Sequence, residues 1–500
     1  MNATTSPPLP LPTGANGSPR SRSTLAAWAL AFTSAWRADW TERKRDWRVW
    51  AVLLLGVLIA STAAITTAIE VKGTLAARAA SQDAERSRWL SQGKKNPHSA
   101  AHYGVYVFKP LSTLAAVDPG VEKYVGSSVW LEAHKQNEFV YRASQDESGA
   151  ARQLLLTPAF TLQVLAPLAI IFLGFGVFAG ERERGTLRSL LMTGAPLSAV
   201  ATARGAVLLC LGLALALPSV LAVAATQLAF DTTSPFVDGG VRVAVFALGY
   251  VLYLALWCVT TVAVSASVSN LRSALAVLIV AWAASALILP RVAIELAQSA
   301  ATLPSTQAFR EALETELGEP HDPAEEAREK AALLKLYGVT DIKDLPVNWS
   351  GISLARGEAH GDQIFDKHYR ALFSAMDAQS RAAATLSWLS PTVAVAGLSS
   401  AAAATNTTHH VQYVNAAEAQ RRVIQKTMND FITVNPDKEG KRVEGERSLW
   451  SQVAPFQFRF EPLQHEPALV RNGLPLLALL IASIAFLIVS IRRLRVGGAL

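Results

Sequence analysis

Cysteine is nearly missing from this 500-residue chain. The two that occur, Cys210 and Cys258, both sit inside apolar runs, where a thiol behaves as a small hydrophobe. The polar stretches hold none, which excludes a disulfide framework in them. Charge is scarce as well: Asp, Glu, Lys and Arg make up 17% of the residues, against about a quarter in an ordinary soluble domain. No Gly-x-x-x-x-Gly-Lys-Ser/Thr loop occurs, so the backbone cradle that would hold the phosphates of ATP is lacking. Neither a Gly-x-Ser-x-Gly elbow nor a His-Glu-x-x-His helix is present, and with them go the common hydrolase and zinc-protease arrangements. The chain reads as a non-enzyme. Nothing repeats at a solenoid period. Residues 25–32 form only a short apolar run with no cleavage site after it, so no removable signal is expected. Residues 1–23, rich in Pro, Ser, Thr and Gly, read as a disordered tail.

What the chain does have is hydrophobic residues, 51% of the total, gathered into blocks about as long as the ~20 residues a helix needs to cross a bilayer. Six blocks qualify: 49–69, 158–179, 205–230, 243–268, 271–289 and 469–491. The second and third contain Pro167 and Pro218, which should kink the helices without breaking them, because neighbouring helices can satisfy the freed carbonyls. The expected class is an all-α membrane protein of six transmembrane helices.

The net charge of +7 is unevenly spread. Residues 1–50 hold seven Lys/Arg against three Asp/Glu, while residues 299–470 hold 17 basic against 22 acidic residues, a net of −5. A nucleic-acid binder would concentrate its positive charge on a polar domain, so nucleic acid is not expected as a partner. The basic excess flanks the apolar blocks instead. Arg43, Lys44, Arg45 and Arg48 precede the first, and Arg182, Arg184, Arg188 and Arg204 lie between the second and third. Arg272 lies between the fourth and fifth, and Arg492, Arg493 and Arg495 follow the last. With six crossings all four groups fall on one side, which the positive-inside rule makes cytoplasmic. The tail 492–500 would then be cytoplasmic, and 70–157 and 299–468 would lie outside, in a mainly helical domain built from both. In the second of these, Phe365, Tyr369, Leu372, Phe373 and Met376 recur at the spacing of one buried helical face.

Residues 24–48 carry a further pattern. No Gly or Pro interrupts residues 24–50, and Trp28, Trp36, Trp40, Trp47 and Trp50 fall within an arc of ~120° if the helix is continuous. Tryptophan favours the membrane–water boundary, so the segment reads as an amphipathic helix lying in lipid headgroups before the first span. Packing of part of the run against other helices is the alternative.

Between the second and third spans, in 180–204, comes a charged head followed by Leu187, Leu190 and Leu191 on one helical face and a Gly-Ala-Pro stop. Such a segment is too polar to span and should lie along the cytoplasmic surface, its acids and arginines facing outward to dock a soluble partner. Two acids two apart, then Gly-Thr-Leu, a Leu pair and a Pro, here Glu181, Glu183, Gly185, Thr186, Leu187, Leu190, Leu191 and Pro196, resemble the permeases of the ABC-2 transporter class. In that class the segment, which here includes Arg182 and Arg184, is the coupling helix that contacts the ATPase. The resemblance implies a separate ATPase subunit that binds ATP and Mg, a second permease copy or a homologous permease as partner, and an inner-membrane exporter.

The runs Asn96-Pro97-His98-Ser99-Ala100-Ala101-His102-Tyr103, Asp118-Pro119-Gly120, 128–137, Leu389-Ser390-Pro391 and His409-His410 look like a bacterial subgroup of these permeases with large extracytoplasmic insertions after the first and fifth spans. A periplasmic partner moved by the ATPase, with no substrate crossing, is the alternative role.

His98 and His102 are four apart, and His134 could join them to bind zinc or copper with a carboxylate. Asn-Pro-His-Ser reads equally as a turn and helix start with the histidines hydrogen-bonded inside the domain, and no metal is assigned. The adjacent His409 and His410 cannot aim their rings alike and are not expected to form a metal pair. After Pro290, Arg291 and Glu295 are spaced for an i, i+4 ion pair at the outer end of the fifth span. They read as a snorkelled pair, or as part of an outer gate over 290–298. The Asn-x-Ser/Thr triplets at Asn348 and Asn406 are expected by chance.

Overall fold

The computed structural model describes residues 24–140, 142, 156–229, 238–318, 323–436 and 442–497. The tail expected at 1–23 lies outside them. Among the described residues six helices are long and apolar enough to cross a membrane: α2 (Trp47–Leu90), α4 (Pro158–Glu183), α6 (Leu197–Ala229), α7 (Gly239–Ser267), α8 (Leu271–Ala300) and α14 (Pro467–Gly497). The protein is an all-α membrane protein. Helix α1 (Thr24–Arg45) precedes the first span, and α5 (Thr186–Met192) lies between the second and third.

The spans pack through small and branched side chains. Ile170, Leu208, Tyr253, Leu254 and Val262 are fully buried at the centre of the bundle. Gly174 lets α4 approach its neighbours, since a Cβ there would sit 2.6 Å from Leu208 and 2.7 Å from Thr261. Both prolines that follow a widened helical turn are accommodated by it. A π-turn at Thr161–Leu165 precedes Pro167, and another at Ala284–Ile288 precedes Pro290. A π-turn relieves the clash of the ring with the preceding carbonyls. Pro218 sits inside α6 without interrupting it.

The polar residues after the first and fifth spans form one domain. In the first insertion α3 (Pro97–Tyr103) leads into an antiparallel pair, β1 (Val105–Phe108) and β2 (Ser128–Leu131), with Val105 opposite Leu131. The second insertion supplies α9 (Thr306–Leu317), α10 (Pro323–Tyr337), α11 (Trp349–Ala384), α12 (Pro391–Ala402) and α13 (Thr407–Val434). Asn348 and Asn406 cap α11 and α13, accepting from Ser350 N at 3.0 Å and His409 N at 3.1 Å, which is what an N-cap asparagine does for the first free amides. Phe365 and Tyr369 are buried against Leu313 with Leu372 and Phe373 beside them, as the spacing predicts.

The two insertions are locked together. Trp89 at the end of α2 donates its indole N–H to the carbonyl of Trp450 at 2.9 Å, and both rings are buried. The helix that holds the expected span 49–69 is longer than it: it runs 44 residues without a break, about 66 Å at 1.5 Å per residue. Hydropathy marks where lipid contact ends, but residues 70–90 are rich in Ala, Glu, Lys and Arg, all good helix formers, so the helix continues into the polar domain.

Candidate coupling surface

The second span loosens before it reaches the charged segment. Around 173–177 the helix ladder is interrupted, and each freed carbonyl is taken by a different neighbour. Arg43 of α1 donates to Leu173 O at 2.8 Å, Ser265 of α7 to Phe175 O at 2.7 Å, and Arg204 of α6 to Val177 O at 2.6 Å. Ser265 Oγ also accepts from the amides of Phe178 and Ala179 at 3.0 and 3.1 Å. Buried backbone groups must be paired, so this joint holds its bend only while three other helices stay in place.

Beyond the joint, Glu181 turns inward, which differs from the expectation that the acids face outward, while Glu183 stays exposed. Glu181 forms a two-pronged ion pair with Arg204, Arg204 Nη1 lying 3.0 Å from Glu181 Oε2, and the guanidinium stacks 4.5 Å from the Phe178 ring. Glu183 accepts from Leu271 N at 3.0 Å, at the start of the fifth span. Arg182 donates to Ala266 O at 3.0 Å and to Val268 O at the end of the fourth. Acids this close to backbone amides and an arginine are drawn to them first.

Gly185 then takes φ +78°, a conformation that costs glycine little, and reverses the chain into α5. Leu187 is buried in the bundle core and Leu190 and Leu191 pack on its edge. Arg184, Thr186, Arg188 and Met192 are exposed, Met192 by 76%. Pro196 is half-buried where the third span begins. A cavity of about 540 Å³ lies between α5 and the last span, with Arg182, Arg188 and Arg493 on its wall. The outward face thus carries Glu183 beside Arg184 and Arg188, with Met192 as its apolar member.

The tryptophan segment is two helices where one was expected. Asp46 adopts extended backbone and accepts from Arg48 N at 2.9 Å, ending α1 and capping α2. Aspartate offers the free amides of a new helix a partner and so competes with continuation. Trp28, Trp36 and Trp40 remain on one face of α1 in a stacked ladder with Phe32, with centroids 5.5 to 6.2 Å apart. Trp36 and Trp40 pack against Val49, Val207 and Leu211. Trp47 and Trp50 belong to α2 and are 73% and 55% exposed.

Pro290 does not end the helix of the fifth span, which continues to Ala300. Arg291 and Glu295 form the expected pair at 3.0 Å and are both exposed. The adjacent histidines diverge, as expected. His409 faces Asn406 and Arg242, and His410 lies edge-on to Phe139 at 5.4 Å. His98, His102 and His134, by contrast, come together.

Sequence reasoning missed Arg43, Ser265 and the pairing role of Arg204. The Gly-Phe-Gly at 174–176 inside an apolar run was the one signal of a weakened helix there.

A family model described as a domain of unknown function (DUF3526) matches residues 305–459, within the second insertion. No curated protein and no solved structure matches the chain.

Proposed function

We propose that this chain is the permease subunit of an ATP-driven exporter, moved by a separate ATPase that docks on residues 181–196. The observation that carries this reading is the joint. Arg182, Glu181 and Glu183 tie the end of the second span, which leads through Gly185 into α5, to the third, fourth and fifth spans, so force passed from α5 to that end reaches three further crossings. Positive charge at this end agrees with a cytoplasmic face, and the polar domain is then periplasmic, in an inner membrane, with both termini inside. ATP and Mg²⁺ belong to the partner. A second permease, identical or similar, completes the path.

One observation favours another role for the same machinery. The first span is a single rigid rod from the basic end to Trp89 in the polar domain. In that version motion is delivered to a periplasmic partner and nothing crosses.

The test uses outward side chains, because changing Glu181 would also break its pair with Arg204. Arg184→Glu, Arg188→Glu and Met192→Asp are placed singly in the full chain, co-reconstituted with the ATPase that copurifies with it. We expect stimulated ATP hydrolysis to fall at least tenfold with an unchanged melting temperature. Unaltered stimulation in all three, or copurification of no ATP-binding chain, sinks the docking reading. Solute movement into vesicles separates export from mechanical transmission.

A further inference from the structure

The polar domain holds a site that is independent of the transporter reading. Asn96 accepts from His98 N at 2.9 Å and Pro97 opens α3. This fixes His98 and His102 one turn apart on the same face, as i and i+4 residues must be. Their Nε2 atoms are 3.2 Å apart. His134 comes from the chain just after β2, its ring centred 4.9 Å from that of His98 and 4.7 Å from that of His102. One nitrogen from each ring lies within 4.8 Å of the other two.

These spacings fit a cation better than a hydrogen-bonded cluster. At a Zn–N distance of about 2.0–2.1 Å, tetrahedral ligands stand roughly 3.3 Å apart, and the His98–His102 edge already has that length. His102 and His134 are exposed, so turning the third ring inward meets no packed wall. Neutral imidazoles facing nitrogen to nitrogen satisfy one another in pairs, which leaves the third over.

A carboxylate stands behind the ring that needs steadying. Glu358 Oε1 is 3.5 Å from His134 Nδ1, and Glu358 is buried and held by Asn429 at 2.5 Å. Histidines that ligate metals commonly direct their second nitrogen at such a group, which fixes tautomer and orientation.

We propose that His98, His102 and His134 bind one divalent transition-metal ion, Zn²⁺ by geometry, with Glu358 positioning His134 from the second insertion. Three imidazoles leave the fourth position of a tetrahedral ion to water or an outside ligand. The ion ties α3 to the chain after β2 and, through Glu358, to α11 and α13. Metal occupancy thereby stiffens the junction between the two insertions.

The experiment uses the full chain without a polyhistidine tag, stripped by chelator in detergent and titrated with zinc chloride by calorimetry. Cobalt(II) absorption reports the ligand geometry. One ion per chain with a tetrahedral cobalt spectrum is expected. His102→Ala and His134→Ala should weaken zinc at least 100-fold, and Glu358→Gln about 10- to 100-fold with stoichiometry kept. His465→Ala, an exposed histidine elsewhere, serves as control and should bind as wild type. Circular dichroism in chelator shows that each variant is folded; because His102 and His134 are exposed, both should match wild type. Equal zinc affinity in His102→Ala, His134→Ala and the wild type overturns the site, as does the lack of any saturable binding.

Discussion

Pro167 has no amide hydrogen to offer Gln163 four residues earlier, and the Tyr253 hydroxyl takes that carbonyl at 2.5 Å. The neighbouring Val164 carbonyl accepts from Trp282 at 2.9 Å. Near Pro290, Ser390 donates to Ser285 O at 2.8 Å. That prolines would be tolerated was legible in the sequence, because the chemistry of a missing donor is local. Which side chain would repair each gap was not, since Tyr253 and Ser390 lie about a hundred residues away. The histidines divide in the same way. His409 and His410 open α13 and are buried, His409 with Asn406 at 2.6 Å and Arg242 at 3.3 Å. Burial, aided by the charges of Lys109 with Arg242 or Arg142, pushes both down to about 3. The unfolded chain titrates them near 6.5 and so binds protons that the fold refuses. Their contribution is therefore complete above about pH 6.5 and is lost as the medium is acidified towards 3, by about 1 kcal/mol for each at pH 5.5. His410→Phe keeps the contact with Phe139 and removes the titration. The melting temperature of the variant should fall less than that of the wild type between pH 7.5 and 5.5. An identical fall in both would show that His410 is not buried neutral.

At the scale of elements, the period of a pattern proved easier to read than its limits. The tryptophans of α1 do share a face, and the buried stripe of α11 is where the 3.6-residue period puts it. The break at Asp46 was missed because Asp is tolerated inside helices and only its capping bond reveals the boundary. That the helix of the first span runs on past its apolar block was not read, because lipid contact and helix formation obey different rules. These limits have consequences for stability. Trp36 and Trp40 pack on Val207 and Leu211 of α6, whereas Trp47 and Trp50 point away from the bundle. Truncating a fully buried Trp to Ala costs about 3–5 kcal/mol, and these half-buried rings should lose about 2 kcal/mol each. Trp36→Ala and Trp40→Ala should therefore lower the detergent melting temperature clearly, while Trp47→Ala and Trp50→Ala should barely change it. Equal losses at all four would mean that α1 is held by the lipid or detergent boundary and not by α6.

For the whole molecule, the uneven covering of the spans is the informative feature. In the second span half the residues of the apolar window are buried (50%), but only 22% are in the first and in the fifth. Both of these pack against the second, and on them Leu54, Leu58 and Val280 are 73%, 61% and 69% exposed. Nothing in a hydropathy profile separates a side chain facing lipid from one facing another helix, so the sequence announced six crossings without saying which lie at the rim. An exporter path of the kind proposed runs between two permeases, and the first and fifth spans, the least covered of the six, are the surface assigned to that pairing. Cysteines at Leu58 and Val280, in a chain whose Cys210 and Cys258 are replaced by Ser and Ala, should cross-link copies in native membranes. Partners at Leu217, which is 55% exposed on the third span, should not. Cross-linking confined to Leu217 would move the interface to the third span, and the path would then have to run along α6.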